Sequence, residues 1–411
     1  MSAIASTELV RQKNSLSVLT ALRHHGSLSH TDISSFTGLA SATVSAITND
    51  LERAGLILRK EQQNAAGRGR PRILFGPRGE FCHVAIVIIS SDSVQYSLVD
   101  YSGKLVDRFS EQRRVTERGA FGRAIVAGLD RLAERSRISR RSILQISISS
   151  KGLVDTASAA LKWSPVLGDE QIDFQALLGE DGSVRVTLNN ETLLAAKAIR
   201  MREHANGDGG PEALVALSLG HSIGLGIARR AGDIVELSAP NFGHMLHLAD
   251  GALCRCGTRG CIEAYSGFYA ILRSAFEAPP HAEPAKFVPV AEVDKIAAAA
   301  RAGGRMARLA FRTAGLALGN GLSRLFSLHG HMPVFLTGPG TRYFDLLESG
   351  LKDGLAQSQA VRFGGMPKIS IRPDEPALVF EGHMDLALSA ADDYILTADI
   401  LQKAGRNADS A

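Results

Sequence analysis

Cysteine is scarce in this chain: 411 residues contain four, too few for a disulfide framework. Long apolar runs are missing as well. The longest, such as residues 84–89, fall far short of the ~20 residues needed to cross a bilayer, so neither a membrane span nor a membrane partner is expected. The opening Met1-Ser2-Ala3-Ile4-Ala5-Ser6-Thr7-Glu8 lacks the basic stretch and apolar segment of a secretory signal, which points to the cytoplasm. No extreme of composition appears either. With 45% apolar and 21% charged residues, the mixture is that of a globular protein and excludes a disordered or fibrous chain. The length exceeds what one small core organises and implies two or three domains.

What charge excess exists is local. Residues 1–80 hold ten Lys/Arg against six Asp/Glu, which is the whole formal excess of +4. A basic end on a neutral body suggests a module for a polyanion. Within it, Leu16, Val18, Leu19 and Leu22 recur at helical spacing before Gly26. A second short helix is expected from about Ser29, with Ile33 and Phe36 turned inward, stopped by Thr37-Gly38-Leu39. A third follows over residues 41–54, with Val44, Ile47 and Leu51 as its buried stripe. This is the pattern of a helix-turn-helix. Ser41, Ala42, Thr43, Ser45 and Thr48 are then expected to face outward, small or hydroxyl side chains able to approach base edges and phosphates. Residues 55–59 and 72–75 read as a hairpin enclosing Gly67-Arg68-Gly69-Arg70-Pro71. Such a wing brings Arg68 and Arg70 to the negative potential of a narrow minor groove.

Beyond residue 80 the pattern changes to strands. Runs at 84–89, 93–99 and 104–109 form one meander, and runs at 214–219, 223–229 and 233–237 form a second. Helical segments at 119–135 and 192–202 accompany them, and alanine-rich helices at 290–301 and 306–328 are expected to complete the second half and supply dimer surface. A repeated meander with interleaved helices is the layout of a two-lobed actin-like or sugar-kinase-like α/β body with a cleft between its lobes.

Three of the four cysteines cluster. His244, Cys254, Cys256 and Cys261 offer one imidazole and three thiolates, a complete tetrahedral shell for Zn²⁺ with no open position, hence a structural ion. Gly257 and Gly260 permit the tight loop between them. Cys82 has no sequence partner and reads as a small buried residue.

Together these residues resemble the transcriptional-regulator branch of the ROK (repressor, open reading frame, kinase) family. Thr37-Gly38-Leu39, Thr43-Val44-Ser45 and the Gly67–Pro71 stretch resemble its DNA-binding head; Gly243-His244 through Cys261-Ile262-Glu263 resembles its zinc signature. The resemblance implies a winged helix-turn-helix over 1–79, a ROK body over 80–400 and a frayed tail over 401–411. It also implies partners: a double-stranded DNA operator, a small-molecule sugar effector, and a second copy in a homodimer or dimer of dimers. Kinases of the family carry an Asp-x-Gly-Gly-Thr phosphate loop where this chain has Ile88-Ile89-Ser90-Ser91-Asp92, and Gly-Thr-Gly-x-Gly where it has Gly220-His221-Ser222-Ile223-Gly224. Their catalytic Asp is replaced by Glu191 after Asn190. The expectation is a non-enzyme that does not bind ATP. By the same resemblance, ligand hydroxyls would meet Asn190, Glu191, Asn241, His244 and Glu263, His244 offering one ring nitrogen to zinc and the other to the ligand. Two alternatives stay open: a working ATP-dependent sugar kinase with an appended head, and a ligand-independent DNA binder with a degenerate body.

Overall fold

A computed structural model describes residues 2–62, 72–90, 93–112, 119–165, 167, 170–179, 184–205, 210–232 and 234–397. The chain forms two compact units, one of Met1–Ile148, Asp173–Thr187 and His383–Ala411, the other of Ser149–Ile172 and Leu188–Gly382. The expected tail at 401–411 lies outside the described residues.

The first unit opens with α1 (Ser2–His25), α2 (His30–Thr37) and α3 (Ser41–Arg53), followed by β1 (Ile57–Gln62) and β2 (Arg72–Pro77). α2 starts at a capping box: the Ser29 hydroxyl accepts from the Asp32 backbone at 3.3 Å and the Asp32 carboxylate accepts from the Ser29 backbone at 3.0 Å. It ends at Gly38, whose φ of 70° suits glycine and turns the chain sharply into α3. β1 and β2 pair antiparallel from Ile57↔Pro77 to Gln62↔Arg72. Val18, Leu22, Ile33, Val44, Ile47, Leu51 and Phe75 bury together. The same core continues into Cys82, Tyr101 and Ile395, so the winged-helix elements share apolar packing with residues beyond 80.

Two expectations about this head are corrected. Phe36 is 54% exposed and stacks on His25 with ring centroids 3.9 Å apart; an eight-residue helix presents one narrow inward stripe, which Ile33 fills. Thr48 is fully buried rather than outward. Its hydroxyl donates to the Val44 carbonyl at 2.9 Å and lies 2.9 Å from His30 Nε2, so the helix turns it toward α2.

The rest of this unit is built on a five-stranded sheet ordered Arg185–Asn190, Ile143–Ser150, His83–Ile89, Ser93–Asp100, Leu105–Gln112. Its last three strands are the expected meander, paired antiparallel. Helix Ala120–Ser136 lies on it through Gly128, where a Cβ would come within 2.2 Å of the Tyr96 ring.

The second unit repeats the arrangement. Its five strands run in the order Ile234–Ser238, Gly224–Ala231, Ala213–Ser218, Val334–Thr337, Ile369–Ile371. The first three form the second meander, and the last two join in parallel. In both sheets the first strand of the meander also pairs with a later strand, which is the duplication the sequence pattern predicts. Helix Arg305–His329 packs against Phe344–Ala356 at backbone contact: a Cβ on Gly315 would fall 2.1 Å from the Leu347 oxygen, and one on Gly350 2.0 Å from the Arg312 oxygen. Small residues at this seam let the two helices close over Phe311, Leu318 and Leu355.

Candidate functional site: a Cys/His cluster beside a pocket, and an exposed helix face

A short 3₁₀ turn, Phe242–His244, presents His244, and the loop after it returns through bridges Leu246↔Cys261 and Leu253↔Arg259. The return requires Gly260: its φ is 80° and a Cβ there would meet the Leu248 oxygen at 1.8 Å. The loop brings His244, Cys254, Cys256 and Cys261 together with all ligand atoms within 4.8 Å of one another. Cys256 Sγ is 3.7 Å from Cys261 Sγ, and Cys254 Sγ is 3.5 Å from His244 Nδ1. Those spacings are close to the edges of a tetrahedron whose metal–sulfur bonds are ~2.3 Å long. The Thr258 hydroxyl lies 3.1 Å from both Cys256 Sγ and Cys261 Sγ, placed to donate to a thiolate. Burial pushes the Cys254 and Cys261 thiols up, so in the absence of a cation they stay protonated. The donor set, its spacing and its supporting hydroxyl fit a structural zinc ion.

Beside this loop, within the second unit, is a pocket of about 130 Å³. Asn190, Asn241, His244 and Glu263, four of the five residues that the resemblance implies as ligand contacts, line it. Glu191 does not. Its carboxyl is buried, with Oε2 3.5 Å from Lys151 Nζ and Oε1 without a hydrogen-bond partner. Burial pushes it up to about 7, against the opposing pull of Lys151 and with added repulsion from Glu375. Glu263 is also constrained. Its Oε1 accepts from Arg255 Nε and Nη2 at 3.3 and 3.0 Å, and its Oε2 accepts from the Ile223 backbone at 3.1 Å. Arg255 further donates to Ser222 Oγ at 2.9 Å and to the His221 carbonyl, and lies over the Tyr269 ring. The metal loop is thereby tied to the pocket wall by the residue between its first two cysteines.

Lys151, Trp163, Ser218 and Arg255 were not singled out in the sequence. Lys151 follows a strand otherwise made of apolar and small polar residues, and Arg255 sits between two thiols; either position marks a cation in an unusual place. Trp163 stands edge-on to His244, centroids 5.3 Å apart, on a small hairpin of Leu153–Asp155 and Ala160–Trp163. Nothing in their spacing shows that these residues converge.

On α3, Ser41 and Ala42 are exposed, Thr43 and Ser45 half-buried, and Thr48 buried as described. The opposite stripe of Val44, Ile47 and Leu51 is locked in the core. Arg68 and Arg70 lie outside the described residues, as do Ser91 and Asp92 of the altered phosphate loop.

With this geometry in view, the comparisons with known proteins are consistent. The ROK family model matches residues 88–337 and the MarR family model matches residues 13–64. The DNA-binding transcriptional repressor Mlc of Escherichia coli is 22% identical over 85% of this chain and 86% of its own. A xylose repressor of Caldicellulosiruptor bescii is 22% identical over 85% of this chain and 88% of its own. A solved ROK family transcriptional regulator, described as a homolog of the E. coli MLC protein, superposes with a TM-score of 0.73 at 19% identity, covering 96% of this chain and 99% of that one. A matching family model that spans more than half of the residues settles the affiliation: the chain belongs to the ROK family.

Proposed function

We propose that this chain is a DNA-binding transcriptional regulator, a repressor of genes for carbohydrate transport or metabolism, whose operator affinity changes when a sugar or sugar derivative occupies the pocket. The observation that carries this reading is the free amino-terminal face of α3. Ser41 and Ala42 are exposed, and Thr43 and Ser45 half-buried, on a helix whose other side is fixed in a core. Small and hydroxyl side chains there allow a recognition helix to seat closely in a major groove. Arg68 and Arg70 add wing contacts to the backbone and minor groove. In this reading residues 1–79 are the DNA-binding domain, 80–400 the ROK body and 401–411 a tail. Repressor relatives that match most of the chain support it.

The chain acts without catalysis. A general base must come within hydrogen-bond reach of the hydroxyl it deprotonates. Glu191 is instead buried against Lys151, away from the pocket wall, and Asn190 is held by Gly152 and Thr192. His244, Cys254, Cys256 and Cys261 would hold a structural Zn²⁺, which would fix the loop that carries His244 and Glu263 to the pocket wall. A homodimer, or a dimer of dimers, places two recognition helices ~34 Å apart, one turn of DNA. Ligand that prefers one body conformation shifts that spacing and hence the affinity.

Mapping the genomic sites bound by the full chain tests the proposal. Discrete sites beside sugar transport or catabolic genes are expected. Binding without discrete sites, or ATP-dependent phosphorylation of any member of a hexose panel, contradicts it.

A further inference from the structure

Three of the five side chains expected to meet a sugar are engaged elsewhere. Asn190 Nδ2 donates to the Gly152 carbonyl at 3.1 Å, and its Oδ1 accepts from the Thr192 backbone and hydroxyl at 3.0 and 2.8 Å. Both Glu263 oxygens are filled by Arg255 and Ile223, and its side chain is 1% exposed. Glu191 is 6% exposed and absent from the wall.

Of the groups left facing the pocket, Lys151 is a donor only, while Asn241 and Ser218 can donate as well as accept. Lys151 lines it with its side chain 22% exposed, more than any carboxylate around it. Ser218 lines it too, and its Oγ is buried without a hydrogen-bond partner. His244 turns Nδ1 toward Cys254, which leaves Nε2 for the pocket. A neutral sugar, whose hydroxyls each carry a proton to donate, would find the lining carboxylate, Glu263, already engaged. A carboxylate or phosphate offers only acceptors and fits a donor wall with one ammonium.

From this we infer that the pocket takes an anionic sugar derivative, a monosaccharide bearing a carboxylate or a phosphate, with Lys151 and Ser218 as the groups that read its charge. The inference rests on the effector reading above and narrows it to one ligand class. Lys151 keeps its charge in the burial around it because Glu191 stands opposite, and Glu375 adds to the field that favours the ammonium. Incoming anion then replaces part of that pairing, and Glu191, already held up by burial, is readily protonated.

Trp163 is the only tryptophan in the chain and lines the pocket, so its emission reports occupancy directly. The test titrates the full chain with D-glucose, D-glucuronate, D-gluconate and glucose 6-phosphate, with inorganic phosphate as a further arm. Saturable change with at least one sugar anion, tighter than with glucose by about tenfold or more, is expected. The acid and phosphate arms distinguish the two sources of charge. Lys151→Met should weaken that binding by about tenfold or more, and Lys151→Arg should restore most of it. The double variant Lys151→Met/Glu191→Gln removes the pair as neutral groups and keeps the result independent of any folding defect. Glucose binding as tightly as the anions, and unchanged in Lys151→Met, overturns the anionic assignment while leaving the effector reading standing. A response to none of the sugars or anions at millimolar concentration overturns both.

Discussion

Both units of the chain bury ion pairs, and two of these, one from each unit, differ in how completely they are satisfied. In the first unit Arg23 and Asp392 meet with side chains 8% and 1% exposed. Both Asp392 oxygens are used, one by Arg23 and one by the Tyr101 hydroxyl at 2.6 Å, and Arg23 donates a further bond to the Tyr101 carbonyl at 3.1 Å. In the second unit Lys151 and Glu191 stand 3.5 Å apart, and one Glu191 oxygen has no partner. A closed network fixes one arrangement of the elements it joins, here α1, the Tyr101 turn and the last helix. An open one retains unsatisfied polar groups that a ligand can complete. Under the proposed function, the first pair holds the DNA-binding head in place and the second belongs to the sensing pocket.

The largest expected effect comes from breaking the closed pair. Asp392→Ala leaves the Arg23 guanidinium buried without its carboxylate and should cost about 3–5 kcal/mol, read as a fall in the denaturation midpoint. A change below ~1 kcal/mol would show that the joint contributes little and would remove the contrast between the two units.

Metal comes next. Cys256→Ser should bring zinc content of the purified chain close to zero and alter Trp163 emission, because the loop holding His244 and Arg255 loses its anchor. Operator binding in the absence of ligand should persist. Full retention of metal would mean that the four-ligand assignment is wrong.

Opposite pH slopes sharpen the comparison further. Burial pushes His383 down from an ordinary 6.5 to about 3 in the first unit, where Ser147 Oγ sits 2.8 Å from its Nδ1. The unfolded chain takes up that proton first, so this contribution is complete above about 6.5 and is lost as pH falls toward 3. Glu191 behaves in the reverse sense. Raised from 4.5 to about 7, it keeps its proton in the folded chain over that window, and stability falls as pH rises through it. His383→Gln should therefore flatten the acid limb of a stability–pH profile, and Glu191→Gln should raise stability at pH 8, on the order of 1 kcal/mol, with little effect at pH 4. Profiles that both variants shift in the same direction would contradict the assignment.

The smallest expected effect is on salt. Replacing Arg68 and Arg70 together with alanine should weaken operator binding and lower the slope of log affinity against log salt by about 2. An unchanged slope would remove the wing from the interface.

How much of this was legible beforehand follows from the range over which each signal acts. The two meanders, the helices at 120–136 and 290–301, and the Cys/His cluster are written in local periodicity and in donor atoms with a distinctive chemistry. Phe36 and Thr48 were misplaced because a short helix offers two faces that spacing alone does not separate, and the stack on His25 and the bond to His30 depend on where the neighbouring helix lies. The Arg23–Asp392 joint links residues at opposite ends of the chain, with no pattern to pair them. Lys151, Trp163 and Ser218 reach the pocket from separate segments, with Arg255 bonded to its wall through Glu263, so their convergence became visible only in the folded chain. The same holds for Glu191, whose place next to Asn190 suggested a ligand contact and whose burial beside Lys151 removed it from the wall.

The central claim is that occupancy of the pocket changes the grip on DNA. Its most direct test is the affinity of the full chain for one mapped operator, measured while the sugar anion that perturbs Trp163 is titrated to saturation. The account predicts a shift of about tenfold or more that follows the Trp163 signal. Operator affinity that stays constant with the pocket fully occupied would contradict it.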